Sequence, residues 1–281
     1  MISQAVLNEW YPVAMIAMLG PWPGRQTMLL GSDINVFKDD TGAVVVRGAA
    51  GDLAVTLAYG HVWACPGVPA HDLFAIPEAD QPGRRLVDCG VVRVKCSPLR
   101  AVENFLDIAH FPFVHTDVLG AEPHTEVGRY EVQIREDSDE VWATKVHFYQ
   151  PQAAKSAAGG IVTEYMYRVA ASTSAVLYKT CPNNPDEWDV IGIFVQPLTE
   201  ELCEAWPWMA LFDDTSAQPD LIQFQQMIFL QDRSILENQI PRLLPLDPGK
   251  EIPTQADLTS IAYRRWLKRK GLTYGAQMVA A

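Results

Sequence analysis

Short runs in which apolar and polar residues alternate occupy much of the chain before residue 212. In the clearest of them Tyr130, Val132 and Ile134 alternate with polar residues, an acidic turn spans 136–140, and the alternation returns over 141–148. A period of two residues is typical of a β-strand with one buried face. Because such runs follow one another with few helical stretches between them, the pattern predicts an antiparallel sheet.

Other segments of the same kind predict the remaining strands. They are expected at 27–30, 34–37, 43–46, 53–57, 61–64 and 91–94, and within 161–179, 188–195 and 202–212. The segment 66–85 is rich in Pro, Gly and Asp, and such a composition predicts a linking loop.

The hydrophobic period becomes helical near residue 220. Leu221, Phe224 and Ile228 recur at helical spacing, which predicts a long helix over 220–238. A second helix is predicted over 254–270, because a sequence resembling a capping box opens it and a glycine follows it. Strands followed by helices indicate an α+β fold.

Composition narrows the classes of function. The chain has 281 residues and a net charge of −12, which argues against nucleic acid or an anionic membrane as its main partner. No apolar run approaches the ~20 residues of a membrane span. Five cysteines without a CxxC pair predict neither a disulfide framework nor a cysteine-rich zinc site, and favour a reducing cytoplasm.

The candidate chemistry is concentrated in residues 103–115, ENFLDIAHFPFVH. Two imidazoles and a nearby carboxylate are ligands that iron or zinc prefers, although ordinary part-buried histidines are the alternative interpretation. Asp107 and His110 are one turn apart on a helix, whereas His110 and His115 diverge by about 140°. We therefore predict a helix that carries Asp107 and His110, breaks near Pro112 and turns His115 towards the same point.

A third ligand is predicted at Asp232, an acid within the apolar helix 220–238. Phe229 and Gln225 precede it by three and seven residues, so they share its helix face and are predicted to line an adjoining substrate pocket. An aromatic ring beside a carboxamide suits a flat heterocycle that carries N–H and C=O groups. The alternatives are a surface acid paired with Arg233, and plain core packing for the two pocket residues.

Residues 103–115 closely resemble the iron motif of the Rieske-type non-haem iron oxygenases, and 231–239 resembles that family's third-ligand helix. The segments 10–13 and 59–63 are similar to the opening of such proteins and to the strand that leaves their cluster domain. The resemblance covers nearly the whole chain. It implies a helix-grip (START-like) catalytic domain, here expected over 91–281.

The resemblance also implies a ligand set and an electron path. A mononuclear iron(II) would be held by His110, His115 and Asp232, and Asp107 would link the iron site to an electron donor. Asp107 is expected to accept a hydrogen bond from a ligating imidazole. Asn104, one turn before Asp107, either helps to shape the site or caps local backbone.

One departure from the family is informative. A Rieske cluster needs a Cys-x-His and a Cys-x-x-His pair, and the sequence contains neither. Where these would stand, 46–48 leads almost directly to 51–53. Residues 1–90 are therefore expected to form a truncated Rieske-like β domain without its own iron–sulfur cluster, and electrons are expected to come from another polypeptide.

Within this family the resemblance is to N-demethylases that act on methylxanthines. It implies conversion of a substrate such as 7-methylxanthine to xanthine and formaldehyde. The implied partners are a cluster-bearing N-demethylase subunit in a trimer-based hetero-oligomer, and a reductase that carries a Rieske [2Fe-2S] cluster, flavin and NAD(P)H.

Two other functions remain open at this point: a non-catalytic partner subunit, and a binding module without iron. The five basic residues within 264–270 could dock a partner, or complement the dipole at the end of a helix.

Overall fold

Two small antiparallel sheets form the first part of the fold in the computed structural model, which describes residues 1–152, 159–182 and 184–278. Their elements are α1 (Gln4–Leu7), β1 (Tyr11–Met15), β2 (Arg25–Leu29), β3 (Ser32–Lys38), β4 (Val44–Gly48), β5 (Gly51–Asp52), β6 (Ala54–Ala58) and β7 (His61–Cys65). One sheet has the order β1-β7-β6 and the other β2-β3-β4-β5. Short 3-10 helices span Ile16–Met18 and Pro77–Asp80.

A large antiparallel sheet forms the centre of the fold. The elements that contribute to it or interrupt it are β8 (Arg85–Asp88), β9 (Val92–Val94), α2 (Pro98–Leu106), α3 (Phe111–Val114), β10 (Glu131–Arg135), β11 (Glu140–Gln150), β12 (Ile161–Ala171), β13 (Ser174–Thr180), β14 (Trp188–Thr199) and β15 (Leu202–Leu211). Its order is β10-β11-β12-β13-β14-β15-β8, and β9 also pairs with β15. The prediction of an antiparallel sheet is confirmed.

The last part of the chain is mainly helical. It contains α4 (Gln218–Leu236), β16 (Leu244–Pro245), a 3-10 helix (Gln255–Asp257), α5 (Leu258–Lys270) and β17 (Ala276–Gln277). Both predicted helices are present. The capping box is also present, since Thr254 and Asp257 bond each other's backbone N–H groups, and Gly271 ends α5 in the left-handed conformation.

Strands β13, β14 and β15 of the large sheet are buried on both faces. Along β13, Ala175 and Leu177 belong to one core, which includes residues of α2 and α5, while Val176 and Tyr178 belong to a second core that includes Trp63. Successive side chains of a strand point to opposite faces, so this alternation shows that each face packs against different elements. The side chains of β13 are mostly apolar because neither face of this strand meets water.

The first ninety residues are joined to this sheet. Trp63 packs edge-on against Phe194 of β14, with the ring centroids 5.0 Å apart. The loop predicted over 66–85 contains one 3-10 helix and leads into β8, which pairs with β15. A domain boundary near residue 90 stays a prediction. β8 lies before that residue and yet belongs to the large sheet.

The segment where a cluster-bearing subdomain is expected to be missing is a tight hairpin. Gly48 pairs with Gly51, and Arg47 pairs with Asp52. Only two residues separate β4 from β5. Among the described residues, no helix combines the length and the apolar character needed to cross a membrane.

Candidate metal centre

The helix α2 ends immediately before Asp107. It stops at Leu106, and Asp107 adopts an extended backbone with φ −82° and ψ 131°. The side chain of Asp107 accepts a hydrogen bond from the backbone N–H of Ala109 at 2.9 Å, which forms a local turn that competes with the helix. The prediction that one helix carries Asp107 and His110 is therefore wrong.

Pro112 also acts differently from the prediction. It lies in the first turn of α3, where a proline sacrifices no helical hydrogen bond, so it helps to begin a helix and does not break one. His110 is the residue before this one-turn helix and His115 the residue after it. The short helix reverses the chain enough to point both imidazoles at one place.

Three atoms converge there. Nε2 of His110 lies 3.1 Å from Nε2 of His115, and Oδ1 of Asp232 lies 3.2 Å from the first nitrogen and 2.9 Å from the second. Asp232 reaches them from α4, which packs against α2. The His115 side chain is 1% exposed, while the other two are 14% and 9% exposed. The structure thus brings together the three side chains expected as ligands.

The triangle fits a metal with three neighbouring ligands. Ligand atoms about 2.1 Å from a metal and at right angles to one another are separated by about 3.0 Å, whereas a tetrahedral angle gives about 3.4 Å. The observed separations of 2.9 and 3.1 Å are closer to the right-angled case, and that of 3.2 Å lies between the two cases. Among the described residues, no other group of three such side chains converges in this way.

The Nδ1 atoms of the two imidazoles, which face away from the triangle, have different hydrogen-bond partners. Nδ1 of His110 lies 2.9 Å from Oδ2 of Asp107, so the expected hydrogen bond between this acid and a candidate ligand is present. Nδ1 of His115 lies 2.8 Å from Oε1 of Gln231. The first imidazole is thus backed by a carboxylate and the second by a neutral amide.

Charges in the centre stabilise one another. Burial disfavours the charged form of His110, but hydrogen bonds to Asp107 and Asp232 outweigh it and raise the pKa of His110 to about 9. Burial likewise opposes ionisation of Asp232, yet the two histidines lower the pKa of this carboxyl to about 2. Asp232 is therefore ionised near neutral pH, as a metal ligand must be.

A cavity of about 80 Å³ adjoins the triangle on its inner side. Gln225 and Phe229 line it together with His110, His115 and Asp232. Phe229 is 4% exposed. The helix face predicted from spacing is thus the face that borders this cavity.

Sequence reasoning missed the opposite wall. The additional lining residues include Phe105, Phe111, Gln150, Tyr165, Tyr167 and Lys179. Tyr165 and Tyr167 lie two positions apart on β12, and their rings stack with centroids 6.3 Å apart. The two-residue period of a strand places both side chains on one face, so the sequence could have shown them to be neighbours once the inward face of β12 was known. Burial lowers the pKa of Lys179, and Asp189 opposes the shift.

A second cavity, of about 420 Å³, lies on the outer side of the centre. Asn104 and His110 line both cavities, and Asp107 lines the outer one. The backbone carbonyl of Asn104 also accepts a hydrogen bond from the N–H of Asp107. This contact is made by the main chain and not by the side chain, so whether the Asn104 side chain shapes the site or caps local backbone stays a prediction.

Charged pairs form the far wall of the outer cavity. Arg100 bonds Glu103 at 2.9 Å, and Glu251 bonds both Arg100 and Arg264. Other cations of the basic run 264–270 pair within the chain as well. Those pairs are Lys268 with Asp247, and Arg269 and Lys270 with Asp139.

Comparisons with known proteins agree with this architecture. The family model described as the vanillate O-demethylase oxygenase C-terminal domain matches residues 94–272. A protein named probable methylxanthine N7-demethylase NdmC, from Pseudomonas sp. (strain TJI-51), is 43% identical over 271 residues, covering 96% of each chain.

Solved structures with a similar fold include NdmA of Pseudomonas putida CBB5 with caffeine, at a TM-score of 0.77 and 17% identity, covering 94% of this chain and 91% of that one. Dicamba monooxygenase bound to 3,6-dichlorosalicylic acid has a TM-score of 0.74 and 15% identity, covering 97% and 99%. At these identities the likeness shows the fold alone.

Proposed function

This chain belongs to the family described as the vanillate O-demethylase oxygenase C-terminal domain, within the Rieske-type oxygenases, and from that membership we propose that it catalyses oxidative N-demethylation of a methylxanthine. The proposed reaction converts 7-methylxanthine to xanthine and formaldehyde. It consumes dioxygen, two electrons and two protons, and it releases one water. The 43% identical relative named as a methylxanthine N7-demethylase supports this substrate class.

One observation carries the proposal: the candidate ligand triangle opens directly onto the cavity that Gln225 and Phe229 line. The extra proton that His110 holds at neutral pH, because of its raised pKa, would be displaced on metal binding. Two neutral imidazoles and a carboxylate then suit a mononuclear iron(II), which would be held by His110, His115 and Asp232 and would supply the oxidising power for attack on a methyl group. A ligand set that opens onto a cavity with aromatic and carboxamide side chains is what such a reaction requires.

The chain's own residues bind and orient the substrate. The Phe229 ring would stack on the flat heterocycle, and the Gln225 carboxamide would pair with its N–H and C=O groups. Buried aromatic walls keep bulk water away from the reacting methyl group. After hydroxylation of that group, the C–N bond breaks and its electron pair stays on the ring nitrogen. The nitrogen takes up the proton that the new hydroxyl loses, and formaldehyde leaves.

Electrons must reach the centre from outside this chain in the proposed scheme. The sequence lacks both cysteine–histidine pairs of a Rieske cluster. The proposed donors are a cluster-bearing N-demethylase subunit in a trimer-based hetero-oligomer, and a reductase with a Rieske [2Fe-2S] cluster, flavin and NAD(P)H. Asp107 is the proposed receiving side, since its side chain is 30% exposed and borders the outer cavity.

The test uses the co-purified complex, with the reductase, NADH and 7-methylxanthine, and measures formaldehyde and xanthine. We expect His110→Ala to abolish turnover and stoichiometric iron, while His147→Ala, which removes a histidine with a 55% exposed side chain on β11, retains both. Gel filtration checks that each variant still forms the complex.

Two outcomes would contradict the proposal. Full turnover by an intact complex that contains His110→Ala would assign this chain the role of a non-catalytic partner subunit. Binding of the methylxanthine that survives a chelator, without turnover by the wild-type complex, would favour a binding module.

A further inference from the structure

Each candidate histidine ligand has two ring nitrogens. The hydrogen-bond partner of the nitrogen that faces away from the centre decides which of the two nitrogens carries the proton. A metal-bound neutral imidazole uses the lone pair of one nitrogen, so its proton resides on the other. For His110 the outer nitrogen bonds Asp107. For His115 the outer nitrogen bonds Gln231, a residue to which no role has been given so far.

Neighbouring positions on α4 hold the two ends of the His115 ring. Asp232 Oδ1 lies 2.9 Å from Nε2, and Gln231 Oε1 lies 2.8 Å from Nδ1. Consecutive helical residues diverge by about 100°, which lets adjacent side chains reach opposite ends of one imidazole. Because the His115 side chain is 1% exposed, water is poorly placed to substitute for the amide.

We propose that Gln231 is a positioning residue that holds the proton of His115 on Nδ1 and thereby presents the Nε2 lone pair to the metal. An amide oxygen can only accept a hydrogen bond, so its contact with Nδ1 requires a proton there. The opposite tautomer would place a proton between Nε2 and Asp232, in the space that a metal needs. The inference rests on the proposed function only in taking the triangle as a metal site.

The amide also makes the two histidine ligands electronically different. A carboxylate partner raises the basicity of an imidazole, and a neutral amide does so less. His110 is accordingly the more strongly donating ligand, on the side that borders the outer cavity, while His115 is held by a group that stays neutral at any pH of interest. A carboxylate at position 231 would remove this difference.

The test compares Gln231→Met, which keeps the length but loses the acceptor, with Gln231→Glu, which keeps the acceptor and adds charge. The matched control is Gln223→Met, on an exposed position of the same helix. Fe(II) affinity is measured by anaerobic titration of the full chain, and the ligand field by the d–d spectrum of the Co(II)-substituted protein. Circular dichroism and the Tm report whether each variant is folded.

We expect Gln231→Met to lower Fe(II) affinity by about 10- to 100-fold, with the fold intact, as is typical when the partner of a ligating histidine is lost. Gln231→Glu is expected to bind at least as tightly as the wild type, with a shifted Co(II) spectrum. Gln223→Met is expected to match the wild type in both measurements.

Unchanged affinity and an unchanged Co(II) spectrum in Gln231→Met would overturn the inference, even if the wild-type complex demethylates methylxanthine. A wild-type chain that binds Fe(II) but never turns over substrate would contradict the proposed function alone. A wild-type chain that binds no Fe(II) in the presence of its partner would overturn both. If Gln231→Met does not fold, weak binding by a folded Gln231→Glu would count against the inference.

Discussion

Asp107 accepts a hydrogen bond from Nδ1 of His110 across a gap between two helices and not along one helical turn. The acid is the first residue after α2, and the histidine immediately precedes α3. Both residues therefore lie outside the two helices. The side chain of Asp107 accepts hydrogen bonds from the backbone N–H of Ala109 and from the His110 imidazole at the same time. The contact connects the candidate centre to the outer cavity.

Asp107→Asn tests whether this acid matters for its charge. The amide oxygen can still accept from the His110 imidazole, so we expect iron content to be retained. Turnover is expected to fall by about 10- to 100-fold, because the negative charge behind the ligand is lost. Iron is quantified by mass spectrometry and turnover by formaldehyde release. Wild-type turnover in Asp107→Asn would contradict any role for the charge.

Phe229→Leu tests the proposed stacking surface. Loss of an aromatic partner removes about 0.5–1.5 kcal/mol beyond area burial, which corresponds to roughly 2- to 13-fold weaker methylxanthine binding. Calorimetric titration of the anaerobic protein measures this directly. The control is Phe37→Leu, at a comparably buried ring in the small sheet of β2 to β5. Equal weakening in both variants would point to a general loss of stability.

Gly120→Ala is expected to disturb the candidate metal centre by displacing α3. A Cβ at Gly120 would lie 2.7 Å from the backbone nitrogen of Pro112 and 2.9 Å from the carbonyl carbon of Phe111, too close for either to remain in place. Overpacking of this kind costs about 1–3 kcal/mol, and here it displaces the helix between the two histidines.

The measurements for this variant are urea unfolding and Fe(II) titration, both of which should worsen. Gly128→Ala is the control, since nothing lies within 4 Å of the Cβ it would add. An unchanged Fe(II) affinity in Gly120→Ala would show that α3 can shift without moving the imidazoles.

Glu251→Gln tests the charged wall of the outer cavity through pH. Burial alone would raise the pKa of Glu251, but hydrogen bonds from Arg100 and Arg264 dominate and lower it from the ordinary value of 4.5. The ionised carboxylate therefore stabilises the fold above that ordinary value, and the stabilisation disappears as the pH falls through the lower folded pKa.

We expect the Tm of the wild type to fall more steeply than that of Glu251→Gln as the pH is lowered from 7 to about 3, with the variant already less stable at pH 7. Glu136→Gln, in the exposed turn between β10 and β11, serves as the control and should follow the wild type. Parallel curves for the wild type and Glu251→Gln would contradict the expectation.

Much of the fold could be predicted because its signals are local. Alternation at Tyr130, Val132 and Ile134 predicted the hairpin of β10 and β11, and the helical period after residue 220 predicted α4. The capping box at Thr254 located the 3-10 helix that leads into α5, and α5 itself begins at Leu258. Each depends on residues within a few positions of one another.

The break in the motif could not be read correctly from spacing. A proline within an apolar run is compatible with both the end of one helix and the first turn of the next. The choice depended on Asp107, whose side chain bonds nearby backbone and ends α2 before Pro112 is reached. Spacing nevertheless led to the correct conclusion that both imidazoles point at one place.

Residue identity and local period were enough to predict the candidate ligands and the pocket face. These are two histidines and an acid within nine residues, a distant Asp232, and a helix face that carries Gln225 and Phe229. The packing of α4 against α2, which brings Asp232 within 2.9 Å of His115, is visible in the folded chain alone.

The same packing lets Gln231, one position before Asp232, bond the other nitrogen of the His115 ring. These contacts could not be predicted because the residues lie far apart along the chain. Contacts between residues more than a hundred positions apart depend on how the whole core packs, and no local pattern encodes them.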